Sequence, residues 1–167
     1  MKIKDRMLLG TVSGVIGNLA KEMAAGILIR NGRGNLSGPD MAAGIFLNRR
    51  QMLYKRRKNK LVGVITDNAI GAMLGVLNTY MLSYTGKDYY LLKGLGCGHL
   101  AWVSLFGLLT KMGGSSKHPM SVDDNFNSFI SHGVYGLVTN LAIVQLGDEG
   151  LFKPNASVLG TPTTKGN

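Results

Sequence analysis

Four apolar stretches without proline, each about 21 to 24 residues long, constrain this chain more than any other feature: 7–29, 61–84, 90–110 and 126–146. A helix needs ~20 residues to cross the hydrocarbon core of a bilayer. Inside lipid each backbone amide must find its partner within the protein, which leaves helices for segments of this kind. None of the four alternates polar and apolar residues as a half-buried strand does, and their Leu, Met, Ala and Gly mixture favours helix. The expected fold is therefore all-α, a polytopic transmembrane bundle of about four helices.

The first stretch is the least apolar, because Lys21 and Glu22 lie inside it and Gly10, Ser13, Gly14, Gly17 and Asn18 dilute it. An amphipathic surface helix and a secretory signal are its alternatives. The basic start at Lys2, Lys4 and Arg6 suits a signal, but no small-x-small cleavage site stands before Lys21. Length favours a span.

Average composition would hide all this. Hydrophobic residues make up an ordinary 45%, but charged residues reach only 17%, against roughly 25% in average soluble chains. Glycine is abundant at 24 residues. It is tolerated in membrane helices, where small residues let backbones approach. The pairs Gly10 and Gly14, Gly71 and Gly75, and Gly94 and Gly98 have the four-residue spacing that puts both glycines on one face, and are expected to pack helices.

Residues 1–147 read as one transmembrane domain and 148–167 as a flexible tail. Between the first two stretches, Asn31-Gly32, Gly34 and Gly38-Pro39 are turn signals. Met41 to Leu47 is apolar but too short to cross, so it is expected to be a short interfacial or re-entrant helix, with Asp40 capping its start. The second stretch turns through Thr85 to Asp88 into the third, which predicts an antiparallel hairpin of these two.

Seven of the nineteen lysines and arginines fall within twelve residues: Arg49, Arg50, Lys55, Arg56, Arg57, Lys58 and Lys60. Such a run just before a span attracts anionic lipid head groups or sets topology. Nucleic acid would call for stacking aromatics or a recognition helix, and only Tyr54 is interleaved. With Arg30, Arg33, Lys111 and Lys117 on the same side, the positive-inside rule leans towards a cytoplasmic basic loop and outward termini, although the basic N-terminus opposes that.

Ionisable groups inside a membrane segment point to function. At ~1.5 Å per residue, Lys21 and Glu22 lie ~12–14 Å in from Arg30, Asp67 ~10 Å in from Lys60 and His132 ~9 Å in from Phe126. The depths match closely enough to expect a Lys21–Asp67 pair, with Glu22 or His132 facing a polar cleft. Asn18, His99 and Asn140 would form a deeper layer at ~17–21 Å, and a proton or ion path would run between the two layers. The alternative is a purely structural ion pair with interhelical hydrogen bonds.

No catalytic constellation emerges. His99, His118 and His132 lack metal-ligand spacing. Gly94-Leu-Gly96-Cys97-Gly98 follows no strand and lacks the acidic ribose partner of a dinucleotide loop. The lone Cys97 excludes an internal disulfide and suggests a buried, inert thiol. Asp123 and Asp124 suit the N-terminal end of the fourth helix. Neither an enzyme, a cofactor nor a metal is expected.

Lys4-Asp5-Arg6 leading into a glycine-rich span, then Tyr89-Tyr90-Leu91-Leu92-Lys93-Gly94, Trp102, and the run from Asn127 through His132 and Tyr135 to Leu137 carry a resemblance over roughly residues 1–145. The chain resembles small four-span membrane proteins of spore-forming Firmicutes, a group without an established activity. The resemblance implies a bacterial cytoplasmic membrane and this architecture, but no functional residue; the basic first loop departs from it. The expected role is structural or assembly-related within the bilayer, with a possible second copy as partner. A small transporter or channel component is the first alternative, and a peripheral basic protein binding nucleic acid the second.

Overall fold

The computed structural model describes residues 2–47, 56–105 and 120–152, and for 56–58 their backbone only. Helix α1 spans Arg6–Arg30, α2 Gly38–Phe46, α3 Arg56–Thr85, α4 Tyr90–Trp102 and α5 Val122–Leu146; a 3₁₀ turn, Glu149–Phe152, follows. Among the described residues there is no β-strand. Three helices are long and apolar enough to cross a membrane: α1, α3 from Asn59 onward, and α5. Helix α4 continues through a wider turn at Val103–Leu105, and 106–110 of the third expected span lie outside the described residues.

Local chemistry sets the helix starts. Asp5 caps α1 by accepting from Leu8 N at 2.7 Å. Ser37 caps α2 and Asp40 bonds back to the Ser37 N–H, a reciprocal box with Pro39 in the first turn. The expected cap, Asp40, is thus the third helical residue, because Ser37 has the extended backbone a cap needs. Ser121 caps α5, which starts at Val122, four residues ahead of the expected start, and accepts from Asp124 N at 3.0 Å.

The helices stand side by side in the order α2, α3, α1, α5, α4. Neighbours α3 and α1, α1 and α5, and α5 and α4 are antiparallel, as their residue pairings show. The expected α3–α4 hairpin is corrected accordingly. The short turn does join them, with Lys93 Nζ donating to the Thr85 and Gly86 carbonyls at 3.1 and 2.9 Å. Helix α4 nevertheless packs along α5, because only α5 offers it a matching glycine face.

Those faces are where the glycines matter. A Cβ on Gly14 would overlap the Gly71 carbonyl, and one on Gly75 the Gly10 carbonyl. Gly94 and Gly98 meet the Gly136 and His132 carbonyls in the same way. All six expected packing glycines therefore sit at helix crossings. Gly17 against Thr139, Gly63 against Pro39, and Gly136 add to them.

Burial is inverted relative to a water-soluble bundle. Asn18, Asn127, Asn140, Ser13, Thr79 and Thr139 are fully buried, while Met23, Ile27, Leu61, Ile65, Leu92 and Leu100 are more than half exposed. In water, exposing such residues at roughly 25 cal/mol per Å² would oppose folding. Against hydrocarbon the penalty vanishes, and the buried polar groups become the interhelical contacts.

The end carrying the chain terminus is sealed. Ile3 N donates to Leu146 O at 2.9 Å and Asp148 N to Ile3 O at 3.0 Å, stitching the N-terminal segment to the end of α5. Leu9, Leu82, Ile143, Leu151 and Phe152 form an apolar cluster there. Lys87 pairs with Glu149 on its surface. Residues 149–152, expected in the flexible tail, are thus part of the packed body, because Leu151 and Phe152 complete this cluster. Residues 153–167 lie outside the described residues.

Candidate functional site

At the opposite end the bundle is polar inside. Helix α1 presents Asn18 and Lys21 on the face that carries Gly14 and Gly17, and α3 presents Asp67 one turn before Gly71. Close approach of the two backbones at the glycines brings these longer side chains together. Lys21 Nζ donates to Asp67 Oδ1 at 2.6 Å, and Asn18 Nδ2 donates to Asp67 Oδ2 at 2.9 Å. Both ionic groups are over nine-tenths buried. A buried carboxylate persists only if paired and hydrogen-bonded, and both of its oxygens are engaged.

Glu22 is the second carboxylate. Its Oε1 lies 3.6 Å from Lys21 Nζ, beyond a good hydrogen bond. That oxygen is shielded from solvent, with the Lys21 ammonium and the Gly38 backbone as its polar neighbours. The cluster holds one ammonium and two carboxyl groups.

The first residue of α2 roofs the cluster. A Cβ on Gly38 would crowd Glu22 Oε1, Lys21 Nζ and Asp67 Oδ1. Helix α5 supplies the other wall. His132 Nδ1 lies 2.8 Å from the Ser128 carbonyl, and Tyr135 donates to the Gly71 carbonyl at 2.6 Å.

Two clefts meet at this point. The larger is an open cleft of about 560 Å³, its mouth included, its polar part formed by Asn18, Asp67 and Tyr135 and its apolar part by Ile45, Ile70, Leu74 and Leu105. The smaller, about 290 Å³, is lined by Glu22, Ser37, Asn127, Ser128 and Ser131. Lys21, Gly38, Met41 and His132 line both. The two carboxylates therefore face different clefts, with Lys21 as the partition between them.

The structure brings together four of the five expected intramembrane polar residues: Lys21, Glu22, Asp67 and His132. The fifth, His99, lies on the α4–α5 seam, stacked on Phe129 at 4.1 Å, with Trp102 edge-on to the same ring at 5.4 Å. The expected deeper layer is corrected too. Asn18 belongs to the ion pair, and Asn140 donates to the Tyr90 carbonyl at 2.9 Å to pin the start of α4. These three do not form a layer: Asn18 lies between α1 and α3, and His99 and Asn140 share the α4–α5 seam at different heights, His99 beside Phe129 and Asn140 beside Tyr90. Nor does a path continue to the far end, where the Leu9–Phe152 cluster stands in the way.

Sequence reasoning missed Tyr135, Gly38 and Ser131 as cleft residues. Ser131 and Tyr135 follow Asn127 at four-residue steps, so a polar stripe on α5 was the available signal. Of the basic run, Lys60 is exposed. Arg49, Arg50 and Lys55, and the side chains of Arg56, Arg57 and Lys58, lie outside the described residues. Cys97 is half-buried, with Sγ 3.4 Å from Met81 Sδ. No group of His, Cys, Asp and Glu suited to a metal ion occurs among the described residues. Compared with known proteins, the chain matches no family model, no curated protein and no solved structure.

Proposed function

We propose that this is a multi-pass protein of a bacterial cytoplasmic membrane, with α1, α3, α4 and α5 crossing the bilayer and α2 lying at its interface beside the basic loop. Its role on this reading is to bind a ligand at the Lys21–Asp67–Glu22 junction, not to conduct ions. The observation that carries it is a buried ion pair flanked by two clefts in a bundle closed at its other end. A conducting path needs polar groups throughout, whereas a binding site needs them at one depth.

A structural role is the second reading, in which Lys21–Asp67 only locks α1 to α3. It is favoured by the full hydrogen bonding of Asp67. Membrane residence is tested by fractionation: the chain should resist carbonate and high salt and leave the membrane only with detergent. Release by carbonate would remove the reading. Ion flux in proteoliposomes, if it exceeded that of empty vesicles and was lost in Asp67→Asn, would replace binding with conduction.

A further inference from the structure

We propose that residues 34–36 form a strap beside the smaller cleft, latched to α5 by Asp124, and that its release opens a water-side entrance to Lys21 and Glu22. This rests on the ligand-binding reading above and names how its site is reached. Three observations lead to it.

Attachment comes first. Arg33 still belongs to the end of α1, since its N–H donates to the Leu28 carbonyl at 2.9 Å, and Ser37 already caps α2. Between them, Asn35 N and Leu36 N donate at 2.6 and 3.0 Å to a single atom, Asp124 Oδ1. The other oxygen of that carboxylate accepts from the Ser121 hydroxyl at 2.6 Å, which holds it in place. Both N–H groups of the strap therefore depend on one side chain, and losing it frees them together.

The pivots come second. Gly34 has φ +96°, a left-handed backbone that suits glycine, and a Cβ there would lie 2.8 Å from Asp124 Oδ1. Gly32, with φ +77°, stands on the other side of Arg33. The chain can thus turn at two glycines just ahead of the latched residues.

What the strap borders decides its use. Leu36 and Ser37 line the smaller cleft together with Lys21, Glu22, Asn127 and Ser131. Lys21, Asn127 and Ser131 are buried, yet Arg33 and Asn35 are exposed. From Asn35 to Leu36 the chain passes in one residue from water to the cleft, so the strap is a boundary between solvent and a polar interior. Asn127 joins the two: its Nδ2 donates to the Arg33 carbonyl at 3.0 Å, and its Oδ1 accepts from Ser131 at 3.0 Å. Opening exchanges the Asp124 bonds for bonds to water and hydrates polar groups. Segments that admit ligands are drawn from such weakly held parts of a fold.

The test places a reporter thiol in the cleft, Ala25→Cys in a Cys97→Ser background of the full-length chain in nanodiscs, where both faces meet water. Ala25 lines the smaller cleft and is 4% exposed. A small charged methanethiosulfonate should modify it slowly in this parent. Asp124→Ala should speed modification about tenfold, the ratio that losing one charge-assisted hydrogen bond gives in an opening equilibrium. Gly34→Ala should do the same with Asp124 intact, because its methyl group displaces the carboxylate. Arg33→Ala, which removes only an exposed ion pair, should leave the rate unchanged. A second reporter, Ala142→Cys near the sealed end of α5, should stay slow in every variant. Equal rates at Ala25→Cys in the parent, Asp124→Ala and Gly34→Ala overturn the proposal. Fast modification in the parent overturns it too, since the cleft is then not closed. So does equal acceleration at Ala142→Cys, which would mean that the whole bundle loosens. Labelling needs no ligand, so these outcomes bear on the strap alone, whereas the ligand-binding reading fails on the flux measurement above.

Discussion

Lys21 and Asp67 make the residue-scale argument most directly. Their separation of 2.6 Å, with Asn18 holding the second carboxylate oxygen, leaves no room for a neutral substitution of one partner alone. Removing one member of a buried pair typically costs 3–5 kcal/mol, whereas replacing both with apolar groups is often near neutral. Asp67→Asn is therefore expected to lower stability by about 3 kcal/mol, and Lys21→Met with Asp67→Leu to return to within about 1 kcal/mol of the parent. Denaturation in mixed detergent micelles measures both. Glycines permit an equally sharp contrast. Gly14→Ala pushes a methyl into the Gly71 carbonyl and should cost about 1–3 kcal/mol as overpacking. Gly26, in the same helix, has nothing within 4 Å of its Cβ position, so Gly26→Ala should gain up to ~1 kcal/mol from helix propensity.

Among the elements, the segment between α1 and α2 is held by α5 as well as by the last turn of α1, where Gly32 N and Arg33 N donate to the Ile29 and Leu28 carbonyls. Asp124 Oδ1 accepts from Asn35 N at 2.6 Å and Leu36 N at 3.0 Å, while Asn127 Nδ2 donates to the Arg33 carbonyl at 3.0 Å. Arg33 and Asp123 add an exposed ion pair at 3.6 Å. This clamp sets where α2 begins, and hence where Gly38 sits over Glu22. Asp124→Ala should cost about 1–2 kcal/mol, as a lost cap does. It should also speed proteolysis within residues 31–37, while Arg33→Ala leaves both nearly unchanged because exposed pairs contribute little. Limited proteolysis with mass analysis reads out both. Protection unaltered by Asp124→Ala would mean that α2 is positioned by α3 alone.

For the whole molecule, the polar interior and the sealed terminal end together define a sidedness. Lys4→Cys and Glu149→Cys, made separately in a Cys97→Ser background, should react with a membrane-impermeant maleimide from the same side of the bilayer. Arg33→Cys should react from the other. Labelling of Lys4→Cys and Arg33→Cys from one side would rule out α1 as a span. The inverted burial makes a companion prediction: detergent removal should aggregate the chain, since the lipid-facing Leu, Ile and Met side chains then meet water and only polar contacts hold the interior.

Much of the architecture was legible in the residues because its cause is local. A run of about twenty apolar residues without proline has one way to satisfy its amides in lipid, and four-residue glycine spacing places both glycines on one face whatever the partner helix is. Depth is also linear in residue number along a helix, so Lys21 and Asp67 could be matched from the sequence alone. Which helix lies beside which is not local. The choice of α5 over α3 as the partner of α4 came from Gly136 meeting Gly94 across space. The scatter of Asn18 into the α1–α3 seam and of His99 and Asn140 to different heights of the α4–α5 seam came from the rotation and offset of the helices, which a count of residues does not encode. Leu151 and Phe152 look like tail residues until Leu9, Leu82 and Ile143 are placed around them. The sequence determined which segments are helical and how deep their charges lie, through hydrogen bonding and rise per residue. Tertiary structure alone decided the neighbours and the rotation of each helix, because those depend on side chains far apart in the chain fitting against one another.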